Sequence, residues 1–120
     1  MKVIKENNFI EVEYEPKYCV IKIKNDIVPL STSIELKELF KKLFDEKKYF
    51  NYLLDLSELK FIESSLIGVI VEAFRTISLS NGKLALVIKS QAVYDRFEIS
   101  QLDKVLRIYE NIEDAIKAFK

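Results

Sequence analysis

Residues 50–88 read FNYLLDLSELKFIESSLIGVIVEAFRTISLSNGKLALVI, and this stretch decides the fold. Phe50 to Leu56 is a short, nearly continuous apolar run, the pattern of a strand covered on both faces or flanked by a parallel neighbour. After the connection Ser57 to Glu63, a helical pattern begins at Ser64 and runs to about Leu79, with Ile67, Ile70, Val71, Phe74 and Ile77 on one side. Asn81-Gly82 is placed to close that helix, because left-handed residues commonly follow a helix C-terminus. Leu84 to Ile88 is a second buried strand. Strand, helix, strand in this order calls for a parallel pair joined by a right-handed crossover.

Working outward, Ile10, Val12 and Tyr14 recur at period two, and so do Cys19, Ile21 and Ile23, opposite Lys22 and Lys24. Two strands result, over 9–14 and 18–24. Glu15-Pro16-Lys17 between them predicts a hairpin turn, since proline fixes φ and lacks an N–H. Leu36, Leu39, Phe40, Leu43 and Phe44 then predict an amphipathic helix from near Thr32 or Ser33 to about Lys47. Thr32 and Glu35 have capping-box spacing at its start. Towards the C-terminus, Ser90 is placed to cap a short helix over 91–98. A strand is expected over 105–109, and Asn111 is placed to cap a last helix over 112–119. The expected order is ββαβαβαβα: an α/β protein with a mixed sheet of about five strands and about four flanking helices. No repeat or linker divides residues 1–120, so one domain is expected.

Lys plus Arg equals Asp plus Glu at 19 each, so the chain lacks the positive field that draws proteins to nucleic acid or anionic lipid. No direct nucleic-acid contact is expected. The N-terminus has no apolar signal-peptide core and no stretch approaches the ~18 apolar residues of a membrane span, so membrane insertion is not expected and the protein reads as cytoplasmic. The single cysteine, Cys19, cannot form an internal disulfide and suits a small buried position in a strand. There is no histidine, which removes catalytic triads, imidazole bases and His-ligated zinc. No phosphate loop or nucleophile elbow accompanies the carboxylates. The chain reads as a binding module and not an enzyme, with no cofactor and no metal.

Within the deciding stretch, Asp55-Leu56, Phe61-Ile62, Ser64-Ser65, Gly68 and Val69-Ile70 resemble, in order and spacing, the signature of the STAS family. That family includes bacterial anti-sigma-factor antagonists and cytoplasmic domains of sulphate transporters. Asn81 to Val87 is similar to the family's glycine turn and following strand, and Phe97 to Val105 to its later Leu-Asp segment. The resemblance implies a STAS-type sheet and a phosphorylated serine at Ser64, with Ser65 as the neighbouring candidate. It also implies a partner-binding surface formed by Glu63, Ser64, Ser65, Leu66 and Gly68. Three positions depart from the antagonists' pattern: Glu63 stands for aspartate, Leu66 for glycine and, as a milder change, Gln101 for the later glycine.

The function so implied is partner switching in transcription regulation. The unphosphorylated protein binds an anti-sigma factor that is also its serine kinase, the phosphoprotein lets go, and a serine phosphatase resets it. The alternative is a STAS scaffold or small-ligand module that is not phosphorylated, which the exchange of glycine for Leu66 keeps open. On chemistry alone, the favoured reading of Ser64 or Ser65 is a helix cap, and the resemblance reverses that preference. Gly68 admits two readings, close internal packing or close approach of a partner. Asp55, Glu58 and Glu63 could in principle form a carboxylate site for acid–base work or magnesium. Ser64 is expected within one residue of a helix start with its hydroxyl accessible, and Leu66 is expected to be partly exposed beside it.

Overall fold

The computed structural model describes the backbone at residues 2–5 and the full residues 7–120. Its elements are β1 (Lys2–Lys5), β2 (Ile10–Tyr14), β3 (Tyr18–Ile23), α1 (Ser31–Glu46), β4 (Asn51–Asp55), α2 (Ser64–Leu79), β5 (Leu84–Val87), α3 (Gln91–Ile99), a 3-10 turn (Leu102–Lys104), β6 (Arg107–Tyr109) and α4 (Ile112–Lys117). One sheet runs in the order β1-β2-β3-β4-β5-β6. The pairs β1–β2 and β2–β3 are antiparallel, and β3–β4, β4–β5 and β5–β6 are parallel. The five strands expected from the sequence are therefore present, and β1 adds a sixth at the antiparallel edge.

Alternation of side chains across each strand divides the core into two layers. On one face, Cys19, Ile21, Ile23, Tyr52, Leu54, Leu84 and Leu86 pack with Leu36 and Phe40 of α1, Ile67 and Ile70 of α2, and Val93 and Phe97 of α3. On the other, Val20, Leu53, Ala85 and Val87 meet Ala115, Ile112, Ile116 and Phe119 from the α4 region. β4 is covered on both faces and has parallel neighbours on both sides, which is why its sequence is apolar almost throughout. The Cys19 thiol lies wholly inside, and burial pushes its pKa up to about 12, so it packs as a small apolar group.

Ser90 accepts from the Val93 amide at 3.3 Å and Asn111 from the Asp114 amide at 2.9 Å, as their types suggest. The capping box at Thr32 does not form. α1 starts earlier, at Ser31, and Leu30 occupies the cap position already in helical conformation, with no side-chain cap bond. The Glu35 carboxylate, which would have closed the box, instead accepts from Asn7 Nδ2 at 3.0 Å, a bond between distant residues. At the end of α2, Asn81 adopts φ 62°, while the Gly82 and Asn81 amides donate to the Ile77 and Ser78 carbonyls at 2.9 and 3.0 Å. This is a complete Schellman closure in which asparagine takes the left-handed position. Gly82 is needed for a different reason. A Cβ there would run into the Phe50 carbonyl oxygen, so only glycine lets α2 close this near the start of β4.

Candidate functional site

The carboxyl ends of parallel strands open onto the loops that feed helices, and in α/β sheets this edge is where recognition is usually placed. Here β4 ends at Asp55, which is 6% exposed, and its Oδ1 accepts the Ser57 amide at 2.9 Å. That turn directs residues 56–63 across the sheet edge to the start of α2. The neighbouring loop after β3 is tied to the same segment. The Lys60 amide donates to the Asp26 carbonyl at 2.8 Å, the Asn25 amide to Glu58 Oε1 at 3.3 Å, and Lys22 Nζ lies 3.1 Å from Glu58 Oε2. The hydrogen bond from Lys22 is the main reason the Glu58 carboxyl titrates below its usual range. Asp55, Glu58 and Glu63 thus have separate surroundings. Asp55 shapes a turn, Glu58 locks two loops and Glu63 is exposed, so no shared carboxylate centre arises from them.

Ser64 is the first residue of α2 and Ser65 the second, and both are exposed. Neither serves as the helix cap. Glu63 occupies that position in extended conformation, and no side chain makes a cap bond there. Glutamate is not among the residue types that favour the cap position, whereas the aspartate of the family pattern is. The Ser64 hydroxyl oxygen instead accepts from Arg96 Nη2 at 2.9 Å, and Arg96 Nη1 donates to the Ile62 carbonyl at 2.9 Å. Sequence reasoning did not find Arg96, which lies on α3, 32 residues from Ser64 in sequence.

Leu66 departs from expectation. It is 3% exposed and belongs to the main core, so the side chain that replaces the family's glycine points inward and does not enlarge the surface around Ser64. A residue in the first turn of a helix lies on the same face as one three or four positions later, and Leu66 falls in line with the buried Ile70 and Ala73. Gly68 resolves the other way. It is exposed, and a Cβ built on it meets nothing within 4 Å, so internal packing does not require a glycine there.

Next to Ser64, a narrow notch is lined by Ile27, Pro29, Leu30, Phe61, Ser65 and Leu66. Its rim is apolar and open to solvent: Ile27 is 65% exposed, Leu30 62% and Phe61 49%. Three large apolar side chains beside one polar helix start are the composition of a contact surface. They lie in loops, where no periodicity marks a residue as inward or outward. Among the described residues, no helix is long and apolar enough to cross a membrane.

This geometry accords with the comparisons to known proteins. The family model described as "STAS domain" matches residues 9–115. A Thermotoga maritima protein provisionally named an anti-sigma factor antagonist is 38% identical over 104 residues, covering 80% of this chain and 92% of the relative. The crystal structure of an anti-sigma factor antagonist from Mycobacterium paratuberculosis superposes with a TM-score of 0.80 at 19% identity, covering 92% of each chain. The phosphorylated form of the Bacillus cell fate determinant SpoIIAA superposes at 0.74 with 16% identity, over 92% of this chain and 99% of that one. The strand order, the serine pair opening α2 and the match across nearly the whole length lead to one conclusion: the chain belongs to the STAS domain family.

Proposed function

We propose that this protein is an anti-sigma-factor antagonist that works by phosphorylation-controlled partner switching at Ser64. The unphosphorylated protein docks on an anti-sigma factor that is also its serine kinase and so frees the sigma factor. Phosphorylation ends the complex, and a serine phosphatase restores the binding form. The observation that carries this reading is an accessible Ser64 at the start of α2, free of any capping role, beside exposed Ile27, Leu30 and Phe61. An apolar rim binds a protein surface, and a phosphate adds about −1.5 to −2 charge next to it, which opposes packing of an apolar or acidic partner. Burial of Leu66 favours the switching reading over the unphosphorylated scaffold, because a kinase meets no extra bulk at that position.

The partner is found by capture from the native cell extract and identified by mass spectrometry. Titration calorimetry with that partner, and intact mass after incubation with it and ATP, then test the switch. Ser64→Ala should bind as wild type does and take up no phosphate. Its stability should fall by less than about 1 kcal/mol, since the bond lost to Arg96 is an exposed one. Ser64→Asp should bind more weakly than either. Equal affinities for all three, with no phosphate on wild type, would replace this reading by the scaffold one.

A further inference from the structure

Ser64 projects from α2 and Arg96 from α3, and the two meet only because these helices start from neighbouring strands at the same sheet edge. The guanidinium makes two contacts of 2.9 Å, one with the Ile62 carbonyl immediately before the helix and one with the Ser64 hydroxyl oxygen. Asp95, next in chain, is occupied by Gln91 Nε2 at 2.8 Å and does not hold Arg96. The guanidinium therefore rests against the oxygen that would be modified, anchored by a backbone carbonyl and, among the described residues, by no ion pair of its own.

We infer that Arg96 is the positioning residue of the Ser64 switch: it presents the hydroxyl before phosphorylation and clamps the phosphate afterwards, tying α3 to the start of α2. This rests on the partner-switching reading. A serine oxygen has two lone pairs and one proton. Arg96 takes one lone pair, leaving the other to attack the γ-phosphorus of the nucleoside triphosphate held by the kinase. The Oγ–P bond forms, the bond from γ-phosphorus to the β,γ-bridging oxygen breaks, the nucleoside diphosphate leaves with that electron pair, and the serine proton passes to a base of the kinase. The donor on Nη2 then faces a dianion in place of a neutral hydroxyl. Arginine forms paired, charge-assisted hydrogen bonds with phosphate oxygens, which a lysine does not reproduce geometrically. In the phosphorylated protein the new group is thus held against its own α3, and the modification adds an interhelical tether as well as charge.

The test needs no kinase. Phosphoserine is installed at position 64 during synthesis, in wild type and in Arg96→Gln and Arg96→Lys variants, and the phosphate is titrated by phosphorus NMR. An opposite charge within bonding distance favours the dianion. The second phosphate pKa in wild type should therefore lie about half a unit to one unit below that of Arg96→Gln, with Arg96→Lys between them. The Glu63 carboxylate opposes this equally in all three. Should Arg96→Gln not fold, the Arg96 side-chain nitrogen resonances of wild type decide the matter, since they must move on phosphorylation if the clamp closes. The same pKa in wild type and Arg96→Gln, or unmoved Arg96 resonances, would overturn the inference. Failure of any kinase to modify Ser64 would sink the switching reading while leaving this titration result intact.

Discussion

Gly68→Ala should stabilise the protein, and the size of the gain can be worked from its surroundings. Gly68 lies inside α2 with no positive φ, and a Cβ there meets nothing within 4 Å. Alanine therefore costs no strain, restores helix propensity and narrows the unfolded ensemble, which together contribute about 0.5–1 kcal/mol. Unfolding entropy is about 2.1 cal/mol/K per residue, so for 120 residues the gain corresponds to a rise in Tm of about 2–4 °C. Differential scanning calorimetry reads this directly. Gly82→Ala is the internal contrast: its Cβ would collide with the Phe50 carbonyl, so it should lose stability by about 1–3 kcal/mol or more. If Gly68→Ala lowered Tm instead, the open space seen around this position would be wrong and glycine would be needed for the fold. A stabilised Gly68→Ala that binds the partner less well would place Gly68 under the docked partner.

Two further outcomes follow from the packing and electrostatics of the same edge. Leu66→Gly restores the family's residue but empties a core position that is 3% exposed, so urea denaturation should show a loss of about 3–5 kcal/mol; an unchanged midpoint would refute the inward placement. Glu58→Gln should cost roughly 0–1 kcal/mol at neutral pH, because Lys22–Glu58 is a partly exposed surface pair. The Glu58 pKa is lowered on folding, so its stabilisation is full above the unfolded value of about 4.5 and fades as pH falls through the lower folded value. The stability gap between Glu58→Gln and wild type should close in that acid window, and a gap independent of pH would contradict the ion-pair account.

What could be read from residues alone was whatever depends on neighbours in sequence. The period-two runs before residue 24 and the 3.6-residue pattern after Ser64 marked strands and helices near their observed bounds, because burial of one face repeats locally. The serine capping α3 and the asparagine capping α4 were legible for the same reason. The signature around Ser64 marked the candidate site. What the chain could not show locally was decided by contacts between distant segments. Glu35 is drawn away from Thr32 by Asn7, Leu66 turns into the core, Gly82 yields to Phe50, and Ser64 meets Arg96. Each of these needs two elements brought together by the sheet order, and propensity carries no information about which partner a side chain will find across that distance.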